Sequence, residues 1–119
     1  MLLSGRLEAS RENSRIQVFD RGGAFKREWR GAQDKGRVFG VAVDAAGAYY
    51  VGVRRADYDP ATNGVLKLDR DWNTVAAIGF GTPGHPVFNA VHDLAVARDG
   101  TIYVAETRTR RVVKLRPAR

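Results

Sequence analysis

The chain has 119 residues, 44% hydrophobic and 28% charged, an ordinary balance for one globular domain. It holds no cysteine, which excludes disulfides, thiolate metal sites and thiol nucleophiles, and no apolar run approaches the roughly 20 residues of a membrane span. Its formal net charge is +7, from 20 Lys and Arg against 13 Asp and Glu, with the densest basic cluster at Arg108, Arg110, Arg111, Lys114, Arg116 and Arg119.

Taken in order, the pattern is one of short alternating runs and turn residues. Leu7 and Ala9 alternate as a strand, Arg11 to Ser14 turn, and Arg15 to Asp20 alternate again. Gly22-Gly23 predicts a turn, Ala24 to Trp29 an outer strand, and the polar stretch Gly31 to Arg37 a crossing. Phe39 to Asp44, Ala46-Gly47 and Tyr49 to Val53 read as strand, turn, strand. A longer loop, Arg54 to Gly64, then leads to strands at Val65 to Leu68 and Val75 to Phe80. Asp57, Asp59 and Asn63 in that loop have the oxygen chemistry of a calcium loop. Pro60 and the missing bidentate Glu favour plain turns instead, because Asp-Pro and Asn-Gly are common turn formers. Gly79 to Val87 crosses through Gly81, Pro83, Gly84 and Pro86. Val91 to Val96, Asp99-Gly100, Thr101 to Glu106 and Arg111 to Leu115 then give strand, tight turn, strand, loop, strand.

Slid against itself, the chain repeats. Val38 to Val43, Ala46-Gly47 and Ala48 to Val53 lie over Val91 to Val96, Asp99-Gly100 and Thr101 to Glu106, with Phe39 where His92 stands and Gly40 where Asp93 stands. Gly5 to Ser10 lie over Thr101 to Glu106, and Arg15 to Phe19 over Arg111 to Leu115, without a gap. A recurrence of about fifty residues, each copy carrying up to four short strands, is the mark of a propeller blade. The expected fold is therefore all-β: one partial β-propeller segment over residues 1–119, of about two and a half blades, with copies at about 1–30, 38–80 and 91–117 and strand counts of three, four and three. Blades bury their faces against neighbours, so an open half-ring leaves two faces in water and needs a cap or closure. A homodimer, two chains head to tail about a two-fold axis, would supply a six-bladed ring.

The repeat resembles the NHL repeat, in which hydrophobic-x-hydrophobic-Asp-x-x-Gly is followed by Tyr-Val-Ala-Asp and Arg-Ile-Gln-Val-Phe. Val41-Ala42-Val43-Asp44-Ala45-Ala46-Gly47, Tyr103-Val104-Ala105-Glu106 and Asn13 to Asp20 carry that resemblance, which covers almost the whole chain. A narrower likeness runs through Arg11 to Gln17, a blade without histidine, and Val91-His92-Asp93 before Asp99 to Tyr103. In that order they look like the C-terminal part of peptidyl-α-hydroxyglycine α-amidating lyase, a family of six-bladed propellers that hold zinc on three histidines and calcium in the channel. The resemblance implies His92 as a zinc ligand, Asp93 as a calcium ligand and Arg11 as an active-site arginine. His85 falls in the crossing and takes no role from it, and Phe39 holds the matching place in the middle copy.

Neutral imidazole is a good zinc donor, and an arginine can grip a carboxylate or a developing oxyanion. One histidine without partners is also consistent with a strand end beside the channel, and Arg11 and Asp93 with solvent and backbone partners. Three functions stay open. The first is a truncated propeller subunit binding a peptide or small ligand in its channel, with an incomplete lyase site. The second is an active zinc lyase assembled on an oligomer. The third is an RNA-binding module, which the charge invites and which would need aromatic platforms beside the arginines. Trp29, Trp72, Tyr49 and Tyr50 fall in or beside strands, where packing accounts for them. Met1-Leu2-Leu3 is too short for a secretory core, which leaves the cytoplasm as the default expectation.

Overall fold

The computed structural model describes residues 6–10, 15–30, 37–54, 63–82, 85 and 87–117. Among the described residues ten strands form three antiparallel sheets, and none is helical. The first sheet holds β1 (Arg6–Ser10), β2 (Arg15–Phe19) and β3 (Phe25–Trp29). The second holds β4 (Arg37–Val43), β5 (Tyr49–Arg54), β6 (Gly64–Leu68) and β7 (Thr74–Ile78). The third holds β8 (Val91–Val96), β9 (Ile102–Glu106) and β10 (Val112–Leu115). Each strand pairs with its neighbours in sequence, so the sheets are meanders of three, four and three strands, as the repeat predicts. Among the described residues no helix is long and apolar enough to cross a membrane.

The pairing registers carry the repeat. Tyr49 opposes Leu68, Ile102 opposes Leu115 and Arg6 opposes Phe19, which are the same positions of the three copies. Four hairpins share one turn. Asp20, Asp44, Asp69 and Ala97 each accept from the amide three residues on, and donate to the carbonyl four residues on. The residue before that carbonyl is left-handed: Gly23, Gly47, Trp72 and Gly100 have φ of 88°, 89°, 65° and 87°. A type I turn closed by such a residue matches the right-handed twist of the strands, and it explains the glycine in three of the four. The aspartates lock it further, since Asp44 Oδ1 accepts from the Ala46 and Ala48 amides and Asp69 Oδ1 from Asp71 and Asn73, all at 2.9 Å.

Two strand ends differ from the sequence reading by two residues, the others by one at most. β4 begins at Arg37 rather than Phe39, because the register slips between Val38 and Gly40 and lets Arg37 and Val38 pair with Arg54 and Val53. β7 stops at Ile78 rather than Phe80, where Gly79 turns to a φ of 73°.

Two apolar layers separate the sheets. Ile16 and Trp29 of the first sheet meet Val38, Tyr49, Val51, Val53, Leu66 and Leu68 of the second. Tyr50 and Val65, on the other face of the second sheet, meet Val91, Leu94, Ile102 and Val104 of the third, with Phe88 of the crossing. Alternation along β5 therefore serves both layers, which is why all of Tyr49 to Val53 is buried.

Candidate functional site

The predicted ligand residues lie on β8, an edge strand of its sheet, which runs against β4, the edge strand of the second. Val91 opposes Glu106 and Asp93 opposes Ala105, so His92 is the extra residue of a β-bulge. Phe39 is the extra residue of the bulge in β4. A bulge re-aims one side chain out of the alternating pattern. Here it does so at the same position of both copies, and the two rings meet with centroids 6.1 Å apart, tilted by 49°. The Arg54 guanidinium carbon sits 3.9 Å from the Phe39 ring centre, a cation–π contact at the end of β5. Phe39 is half-buried, and His92 and Asp93 are exposed.

β4 and β8 come this close because glycine stands at their crossing. A Cβ at Gly40 would lie 2.8 Å from Asp93 Oδ1 and 3.0 Å from its Cα, and one at Gly52, opposite Gly40, would meet Val91 and Leu94. Asp93 Oδ1 accepts from the Leu94 amide at 2.8 Å, and the other oxygen has no partner among the described residues. At this rim, where β4 meets β8, stand an exposed imidazole, which can donate or accept, with its ring 6.1 Å from that of Phe39, and the exposed carboxylate of the next residue, which accepts.

Behind the rim, two buried polar residues hold β8. Asn63 donates from Nδ2 to the Phe88 carbonyl at 2.9 Å and accepts the Val91 amide on Oδ1 at 3.3 Å, tying the start of β6 to the start of β8. Glu106, 5% exposed at the end of β9, accepts from the Asn89 amide, from Arg111 Nε and from Thr109 Oγ1 at 2.9 Å. Burial pushes its carboxyl up, but those bonds, Arg111's first, outweigh it and hold the group below its ordinary value. The sequence reading took Asn63 as a loop residue and Glu106 as part of a strand motif. No spacing signals either role, since Asn63's partners lie 25 and 28 residues on.

Arg11, Asp57 and Asp59 lie outside the described residues. His85 is exposed in the crossing, where its backbone bridges to Thr82. Among the described residues no three of His, Asp and Glu gather as metal ligands. Trp29, Tyr49 and Tyr50 are buried in the layers, and Trp72 lies under Arg27, whose guanidinium carbon is 3.8 Å from its ring. These four aromatics are engaged in packing. Compared with known proteins, the chain matches no family model and none of the curated sequences.

Proposed function

We propose that the three sheets are successive blades of an NHL-type β-propeller segment, and that the chain is a binding module taking a peptide or small polar ligand at the rim where β4 and β8 meet. One observation carries this reading: the bulges at Phe39 and His92 fall on equivalent residues of adjacent edge strands and turn both rings to one place. A bulge repeated at the same register of two edge strands is the kind of feature that aims a side chain at a ligand rather than at a core. The hydrogen-bonding groups there, the His92 ring and one Asp93 oxygen, suit a polar backbone or a hydroxyl more than a large apolar body.

The resemblance to the amidating lyase supplies the probe. A peptide ending in α-hydroxyglycine, titrated into isotope-labelled protein, is expected to shift the amides of Phe39, His92 and Asp93 and to be recovered intact. His92→Ala should weaken those shifts. Glyoxylate release that is lost in His92→Ala would replace binding by lyase activity. Shifts confined to other sheets, or none, would refute the rim as the site.

A further inference from the structure

The face of the second sheet that the third sheet covers is repeated on the third sheet's own outer face. Ala42, Tyr50, Val65 and Lys67 become Ala95, Tyr103, Val112 and Lys114, in the same register. Even the stacking recurs: Lys67 Nζ is 5.6 Å from the Tyr50 ring centre and Lys114 Nζ 5.7 Å from that of Tyr103. Burial does not recur. Tyr50 and Val65 are 5% and 0% exposed, whereas Tyr103 and Val112 are 38% and 64% exposed. The molecule therefore contains both the covered and the uncovered form of one surface, and exposed apolar surface of this kind marks an interface.

The covered form shows what the cover looks like. Tyr50 and Lys67 share a cleft of about 270 Å³ with Ile102 and Leu115 of the third sheet. The position of Leu115 is held in the first sheet by Phe19. Leu68 and Leu115 both point from this position toward the preceding sheet, so Phe19 lies on the face of the first sheet turned away from the second. There it packs edge-on against Phe25, with ring centroids 6.0 Å apart at 73°, and Phe25 is 55% exposed. The first sheet thus offers an uncovered aromatic pair where the interior sets an aliphatic residue on the tyrosine and lysine.

The inner ends agree as well. Gly40 and Gly52 leave the hollow that receives β8, whereas the third sheet has Asp93 and Ala105 in those places and cannot admit a strand so closely. Among the described residues the first sheet has no strand equivalent to β4.

We propose that the outer face of the third sheet docks a second copy of this chain, whose first sheet sets Phe19 and Phe25 on Tyr103 and Lys114. The contact rests on reading the sheets as blades, and two such contacts close two copies about a two-fold axis. Light scattering on the full chain, from micromolar to submillimolar concentration, is expected to give twice the chain mass. Tyr103→Asp and Phe19→Lys should each raise the dimer dissociation constant at least tenfold with an unchanged far-ultraviolet spectrum. Phe25→Lys is the substitute if Phe19→Lys does not fold. An equimolar mixture of the acidic and basic variants should recover the dimer, because that pair has one native contact and one Asp–Lys contact. A wild-type chain that stays monomeric overturns the interface while leaving rim binding, read from amide shifts, untouched. A dimer that ignores Tyr103→Asp, or a mixture that fails to recover, places the contact elsewhere and overturns it too.

Discussion

Replacing Glu106 by Ala removes an acceptor from inside the third sheet, and its cost can be worked from the neighbours left behind. The Asn89 amide is half-buried and loses a charged acceptor, which costs about 1–3 kcal/mol for a donor without a substitute. The one methylene that is lost, Cγ, contributes about 0.8 kcal/mol. Arg111 is 51% exposed, and the exposed Thr109 can turn its hydroxyl to water, so together they contribute less than about 1 kcal/mol. Glu106→Ala is therefore expected to cost about 2–5 kcal/mol, a large part of the roughly 5–15 kcal/mol of a typical domain, and Arg111→Ala, which leaves the buried carboxylate without its cation, about 1–3 kcal/mol. Urea unfolding followed by Trp29 and Trp72 fluorescence measures both. The pH dependence separates charge from shape. Because the folded carboxyl lies below its ordinary value, its contribution is fully present above that value and is lost as pH falls through it toward the folded one. Glu106→Gln keeps an acceptor of the same shape, so it should flatten the loss of stability in that acid window. A cost below about 1 kcal/mol for Glu106→Ala, or an unchanged acid slope in Glu106→Gln, would refute the assignment of Glu106 as a buried anchor.

Gly40→Ala should destabilise by about 1–3 kcal/mol and move the Asp93 and Leu94 amides, since the new methyl meets backbone as well as side chain; an unchanged spectrum would show that β8 is free to shift. Asn63→Ala leaves the Phe88 carbonyl and the Val91 amide unpaired in the interior and should cost about 2–4 kcal/mol in the same urea assay, whereas a cost below about 0.5 kcal/mol would mean that β8 is placed without it. The Tyr50 hydroxyl is pushed up to about 12 by burial and by its 3.0 Å bond to Asp44. The folded group is raised, so it stabilises below the ordinary tyrosine value and that stability is lost as pH climbs toward the folded one. A tyrosinate absorbance step near pH 12 that persists in Tyr50→Phe would contradict this. Metal analysis of protein purified without chelator tests the zinc and calcium that the resemblance implies at His92 and Asp93: one zinc per chain, lost in His92→Ala, would support it, and none above background would end it.

The strands, their hairpins and the alignment of the copies were legible in the sequence because they depend on neighbours in the chain. Alternation, Asp-x-x-Gly turns and a repeated order of side chains are local signals, and hairpin pairing turns them directly into sheets. Phe39 and His92 could be matched as equivalent positions, but not as bulges, because a bulge exists only relative to the partner strand's register. The glycine at position 40 has its reason 53 residues away, where Asp93 needs the space. Asn63 and Glu106 look like ordinary loop and strand residues until the crossing brings Phe88, Asn89 and Val91 to them. What the sequence by itself determined was each sheet, since strands four to nine residues apart in the chain find each other through local connections. Only the tertiary structure decided which of two faces that share Ala, Tyr, Val and Lys in the same register is core and which is surface, because burial depends on what lies opposite: Tyr50 has Ile102 and Leu115 across its cleft, and Tyr103, with the same neighbours beside it, stands open to solvent.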